Sequence, residues 1–192
     1  MLLSACAQTA DSTLTAQPTL AAQPTTTQTA TSTSEPSATP LPFELTSSAF
    51  ESEGVIPDRY SCKGENISPE LSWGDPPAGT ESLALIFDDP SSGGSWVHWV
   101  VYNLPSRAGS LLEAVPAGED IAGGGTQGSN SWGALEYGGP CPPQGTTHRY
   151  VFIVYALDAM LDIEPGADKR ELLAAMEGHI LAEVELAASF TR

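Results

Sequence analysis

Tyr150-Val151-Phe152-Ile153-Val154-Tyr155-Ala156-Leu157 carries no charge, no glycine and no proline, and six of its eight residues are β-branched or aromatic. An apolar run of this length and composition reads as a buried strand, because helices need longer segments with a 3.6-residue period. Two upstream runs have the same character. Ser82-Leu83-Ala84-Leu85-Ile86-Phe87 is bounded by charged and turn residues, and Trp96-Val97-His98-Trp99-Val100-Val101-Tyr102 ends at Asn103-Leu104-Pro105. Together they predict three central strands. Helical spacing appears only late, over Asp168–Glu177, after Pro165-Gly166 and before Gly178. From His179 to Phe190, Ile180, Ala182, Val184 and Leu186 alternate with other residues, which predicts a closing strand. The expectation is a mainly β, sandwich-like domain with one helix near its C-terminus.

Working outward, the composition changes at Leu41-Pro42, beyond which Phe43, Phe50, Tyr60, Trp73 and Phe87 appear. The domain is therefore placed at residues 43–192. Residues 7–42 are dominated by Thr, Ser, Ala, Gln and Pro, with no lysine, arginine or aromatic residue. Such a segment buries too little surface to offset its ordering entropy and is expected to be a disordered linker. Extended, it would reach about 110 Å at ~3.1 Å per residue. Residues 1–6, Met-Leu-Leu-Ser-Ala-Cys, resemble the end of a bacterial lipoprotein signal, with Cys6 as the lipidated residue. The competing reading is a chance cysteine in a low-complexity tail. No run approaches the roughly 18 apolar residues that span a bilayer as a helix, so membrane contact is expected only through a lipid on Cys6. The protein would then be exported and anchored on the extracytoplasmic side.

The chain has 24 acidic and 7 basic residues, a net charge of −17. Only Asp11 and Glu35 precede the domain, which leaves −15 on it, and all seven basic residues lie beyond position 43. A surface this acidic repels phosphate backbones and argues against nucleic acid as a partner. Cys6, Cys62 and Cys141 show no zinc-type spacing. No metal or other cofactor is expected.

Two segments concentrate polar residues beside strands. In Asp88-Asp89-Pro90-Ser91-Ser92-Gly93-Gly94-Ser95-Trp96-Val97-His98-Trp99 an acidic turn feeds a histidine embedded in an apolar strand. Strand alternation directs its imidazole away from both Val97 and Trp99, towards the core or a pocket. In Tyr137-Gly138-Gly139-Pro140-Cys141-Pro142-Pro143 the glycines permit backbone angles closed to other residues and the prolines fix the chain. A loop of this kind is either an ordinary rigid turn or a concavity of peptide N–H groups that receives an anion. His148 and Tyr150 then start a strand on a common face. The glycine-rich stretch 118–147 is too long for a plain connection, which points to a role of its own.

Asp89-Pro90, His98-Trp99-Val100-Val101-Tyr102-Asn103-Leu104-Pro105, Tyr137-Gly138-Gly139-Pro140-Cys141-Pro142-Pro143 and His148-Arg149-Tyr150 resemble the successive signature blocks of the phosphatidylethanolamine-binding protein family, and more closely its bacterial, Raf-kinase-inhibitor-like branch. Tyr60–Trp73 resembles that family's early block. The resemblance implies a Greek-key β-sandwich with a small cavity for phosphate-like anions or phosphorylated headgroups, lined by Asp89, His98, the Gly139-Pro140 turn, His148 and Tyr150. Asp89 would orient a histidine or accept from a headgroup amine. Where the family usually reads Asp-Pro-Asp-Ala-Pro, this chain reads Asp89-Pro90-Ser91-Ser92-Gly93. The lost carboxylate favours a more anionic ligand, a looser site or a vestigial one that no longer functions. Cys62 and Cys141 each fall in a signature block near the cavity, and in an exported protein they either pair or remain two buried thiols.

A binding module that holds a small anionic or phosphorylated ligand is thus the leading functional expectation. A hydrolase using Asp89, His98 and His148 is the alternative, although no GxSxG or HExxH motif accompanies them. A third reading, an inhibitor or regulator of an unidentified protein partner, rests on analogy within the family.

Overall fold

All eight residues of Ser82–Asp89 are buried. A strand shielded on both faces has to pair along both edges and lie between two further layers. The computed structural model of the chain describes residues 41–192, so Cys6 and the linker as far as residue 40 lie outside the described residues. In chain order the strands are β1 Leu45–Thr46, β2 Gly54–Val55, β3 Leu71–Trp73, β4 Ser82–Asp89 and β5 Trp96–Pro105. They continue with β6 Ser110–Leu111, β7 Thr126–Ser129, β8 Thr147–Leu157, β9 Gly166–Asp168 and β10 Ile180–Thr191, and helix α1, Lys169–Met176, precedes the last.

Seven strands form one sheet in the order β2-β10-β8-β4-β5-β7-β9, and β1-β3-β6 form a second. Within the large sheet β4, β5 and β7 follow one another as antiparallel neighbours and β8 returns beside β4, the order of a Greek key. The small sheet covers one face of the large one. Leu45, Leu71, Trp73 and Leu111 pack there with Leu83, Leu85, Phe87, Trp99, Phe152, Val154 and Phe190. On the opposite face Ala84, Ile86, Val100, Tyr155 and Leu157 meet Leu172 and Met176 of α1. The predicted mainly β architecture and its late helix are both present.

The three predicted central strands are adjacent in the sheet, and each is longer than its apolar run. The helix is shorter than predicted by one residue at each end, because Asp168 is its N-cap. The Asp168 carboxylate accepts from Glu171 N, and the Glu171 side chain accepts from Asp168 N. Of the residues expected to alternate inward along β10, Leu186 is buried and Ala182 and Val184 pack partly against the core, whereas Ile180 is exposed; beyond them Ala187, Ala188 and Phe190 are all buried. The short strands β1, β2, β3, β6, β7 and β9 carry too few apolar residues to show a period. The long segment 118–147 is organised by Gln127, which is fully buried. It accepts from Trp99 Nε1 at 2.7 Å and donates to the carbonyls of Pro116 and Gly118. Packing begins slightly before the compositional boundary, since Leu41 N donates to Asp75 and Asp75 N to Leu41 O.

Leu172 is fully buried between α1 and the sheet. We expect Leu172→Ala to lower unfolding free energy by about 2–5 kcal/mol in urea titration, the usual effect of a buried leucine cavity. A loss under about 1 kcal/mol would mean that the sheet does not depend on this cover.

Candidate functional site

Alternation along β4 delivers its two final carboxylates to opposite faces. Asp88 points to the helix side, where Lys169 Nζ donates to it at 2.6 Å and Ser95 Oγ at 2.7 Å. Asp89 points into the sandwich face, just beyond Phe87. It is 3% exposed, and its carboxylate accepts from His148 Nδ1 at 2.7 Å and from Ser91 N at 2.8 Å. Of its two expected roles, orienting a histidine is the one its geometry displays. The Ser91-Ser92 turn is held closed rather than loose. Ser91 Oγ accepts from Arg149 N at 3.1 Å, and Ser92 Oγ donates to Asp89 O at 3.0 Å.

His98 does not follow simple alternation. The register steps from Phe87↔Trp99 to Asp88↔Val97, so His98 is the additional residue of a β-bulge. The bulge turns its ring to the same side as Trp99, against Phe87 at 5.2 Å and Tyr150 at 5.2 Å, while Val97 packs on the helix side. This corrects the expectation that the ring opposes both neighbours. His98 Nδ1 lies 2.6 Å from Gly138 O. A carbonyl only accepts, so Nδ1 carries the proton and Nε2 is left for the cavity. Burial lowers the imidazole from its ordinary value, and the Gly138 carbonyl and Asp89 oppose this only in part. The neutral ring is thereby favoured, with Nε2 as an acceptor.

Tyr150 is fully buried, and its hydroxyl makes no hydrogen bond within the protein. The Asp89 carboxylate, which accepts from His148 Nδ1 and Ser91 N, lies near enough to help burial raise the phenol well above its ordinary value, yet its approach to the hydroxyl falls short of hydrogen-bond geometry. The hydroxyl is therefore a protonated donor in search of an acceptor.

Of the two forms open to the turn after Tyr137, a rigid turn or a nest of N–H groups, the glycine amides follow the first. Gly138 N donates to His98 O at 2.9 Å and Gly139 N to Asn66 Oδ1 at 2.8 Å, so neither is free for an anion. Neither glycine has a positive φ; space against backbone requires Gly139, whereas Gly138 lies under the ring of the exposed Trp132. A Cβ on Gly139 would stand 2.4 Å from Tyr60 O, and one on Gly138 2.5 Å from the Trp132 ring. Cys62 and Cys141 are joined by a disulfide.

Asp89, His98, Gly139, His148 and Tyr150 line one cavity of about 570 Å³, as do Cys62 and Cys141, a size suited to a small ligand. Pro140 does not line it; buried behind the turn, its carbonyl accepts from Cys62 N at 3.2 Å. Sequence reading passed over Asn66, which clamps Gly139, and the half-exposed Trp96 and Trp132, which meet edge to face at 5.4 Å on the rim. Asn66 sits in the early block and Trp132 in the glycine-rich loop, so position was the available signal. The Lys169 tie to Asp88 had none. Among the lining residues the carboxylates are Asp89 and Glu136, and there is no lysine or arginine.

Because His98 is held below its ordinary value of 6.5, the unfolded chain binds its proton more readily than the native state. Stability contributed by this site is present above pH 6.5 and is lost as pH falls towards the native value. Urea titrations between pH 7.5 and 5 should therefore show wild type losing more stability on acidification than His98→Gln. Equal losses would show that His98 titrates as in the unfolded chain.

A family model described as phosphatidylethanolamine-binding protein matches residues 46–191. The chain is 50% identical over 149 residues to a UPF0098 protein of Methanothermobacter thermautotrophicus, covering 77% of this chain and 98% of that one. It is 39% identical over 157 residues to a Mycobacterium tuberculosis protein named "Putative lipoprotein LppC", covering 81% and 74% respectively. Among solved structures, the phosphatidylethanolamine-binding protein homologue CT736 of Chlamydia trachomatis is similar with a TM-score of 0.71 and 42% identity, covering 78% of this chain and 97% of that one. YbcL of E. coli has a TM-score of 0.71 at 27% identity, with 78% and 98% covered. With its Greek-key sheet, its cavity and these relatives, the chain belongs to the phosphatidylethanolamine-binding protein family.

Proposed function

We propose that this protein is a binding module whose cavity holds a phosphorylated headgroup that carries its own ammonium. The observation that carries this reading is the Tyr150 hydroxyl, fully buried, protonated and without a partner beside the Asp89–His148 pair. A phosphate oxygen is the acceptor it lacks. A bare dianion suits the cavity poorly, since no lysine or arginine lines it and the domain around it is strongly acidic. A zwitterion resolves this conflict. Its ammonium can donate to His98 Nε2 or to a carboxylate, and Trp96 and Trp132 offer aromatic faces to a cation at the rim.

A second reading has one observation in its favour. Asp89 orients His148 as an acid would orient a general base, leaving His148 Nε2 for the cavity. No group of three His, Cys, Asp or Glu side chains converges as a metal site among the described residues. Turnover of a phosphate monoester that disappears in His148→Ala would favour this hydrolase over the binding module. Outside the described residues, we infer that Cys6 is lipidated and that residues 7–42 tether the domain on the extracytoplasmic side. Support comes from the lipoprotein-like sequence before Cys6 and from the name of the mycobacterial relative. Among the described residues no helix is long and apolar enough to cross a membrane.

In calorimetry, phosphoethanolamine should bind more tightly than inorganic phosphate or ethanolamine alone. Tyr150→Phe should weaken it by about tenfold, the effect of one hydrogen bond to a charged group. Absence of heat with all three ligands would refute the pocket reading. In cell fractionation, the protein should sediment with membranes and be released by detergent, and Cys6→Ser should move it to the soluble fraction. Retention of that variant on the membrane would rule out the lipid anchor.

A further inference from the structure

Two small, self-contained turns meet at the cavity wall. The first, residues 58–66, is closed by its own hydrogen bonds, from Ser61 N to Asp58 O, Gly64 N to Ser61 O and Asn66 N to Arg59 O. The second, residues 137–143, is stiffened by Pro140, Pro142 and Pro143, each with a fixed φ. Three hydrogen bonds join them: Tyr137 Oη to Tyr60 O at 2.7 Å, Gly139 N to Asn66 Oδ1 at 2.8 Å and Cys62 N to Pro140 O at 3.2 Å. The fourth link is covalent, the Cys62–Cys141 disulfide. Neither cysteine belongs to the hydrophobic core on either face of the large sheet. Cys62 is solvent-exposed, Cys141 is half-buried, and both line the cavity.

We propose that this disulfide is a thiol-exchange site through which a dithiol reductant opens the cavity wall and weakens ligand binding. The proposal rests on the binding role assigned above to the same cavity. A thiolate of the reductant attacks the Sγ of Cys62, the more exposed of the two residues; the S–S bond breaks and Cys141 leaves as a thiolate that takes up a proton. The second thiol of the reductant, once deprotonated, displaces Cys62, which is protonated in turn. Two electrons and two protons thus pass to the protein, and the reductant ends as its own disulfide. An oxidised dithiol reverses the sequence.

Loss of this link reaches the ligand through the second turn. Gly138 O accepts the Nδ1 proton of His98, and Gly138 N donates to His98 O. Movement of the turn against the first therefore removes what fixes the His98 tautomer and shifts one wall of the cavity. The sheets and α1 do not depend on the disulfide for a packed core, so the exchange is local.

The test compares the oxidised domain with the same domain after dithiothreitol, using near-UV circular dichroism to follow the fold. Phosphoethanolamine affinity should fall by at least about fivefold on reduction, within the usual range of site coupling, and recover on reoxidation. Amide exchange at Gly138 and Gly139 should accelerate in parallel. The proposal is overturned if native protein, treated with dithiothreitol and then desalted, has gained no titratable thiols, or if reduction leaves both the affinity and these two amides unchanged. Should the oxidised domain bind no phosphoethanolamine, the binding role fails separately, and the Gly138 and Gly139 amides still decide whether the disulfide holds the wall. Cys62→Ala/Cys141→Ala, measured without reductant, should match the reduced protein; a match to the oxidised protein instead would equally overturn the proposal.

Discussion

The burial of β4 on both faces is the constraint from which the remaining architecture follows. An eight-residue strand with no exposed side chain cannot sit at an edge, because its backbone groups would lack partners. It therefore lies between β8 and β5 in the large sheet, covered on one side by β1, β3 and β6 and on the other by α1. The same strand ends in two carboxylates. Burying either would be costly without partners, and alternation sends each to a different one. Asp88 meets Lys169 of the helix layer, and Asp89 meets His148 of the neighbouring strand. The site is thus an outcome of how the central strand terminates.

Phe87 links that strand to the chemistry above it. Its ring stacks on Phe152 at 3.8 Å and on Tyr137 at 5.5 Å, and touches both His98 and Tyr150. The polar groups of the cavity therefore stand on a rigid aromatic floor. What they present is mostly acceptor capacity, namely His98 Nε2 and the carboxylates of Asp89 and Glu136, with Tyr150 as the buried donor. The lining therefore offers more acceptors than donors. That separates it from a basic phosphate site, in which fixed cations dominate.

Much of the framework was legible before any coordinates. Tyr150–Leu157, Ser82–Phe87 and Trp96–Tyr102 announce strands because their apolar density survives any local context, and the Asp168–Glu177 pattern with its cap announces the helix. Asp89, His98, His148 and Tyr150 were selected because ordered family blocks surround them. The short strands escaped notice because two to four residues show no period. The orientation of His98 was misread because a bulge is a mismatch between two strands. Gly138 and Gly139 were assigned a conformational role, whereas their surroundings show close approach, by Trp132 from earlier in the same loop and by Tyr60 from a distant segment.

The sequence by itself determined that a β domain follows a stretch poor in aromatic and charged residues, that its surface is acidic, and which polar side chains accompany its strands. These properties depend on composition and on neighbours within a few residues. Only the tertiary structure decided which histidine nitrogen is left for the cavity, that Tyr150 lacks a partner, that Pro140 does not line the cavity, and that Cys62 is exposed while bonded to Cys141. Each of these depends on atoms brought together from tens of residues away, where hydrogen-bond direction and excluded volume act and local pattern carries no information.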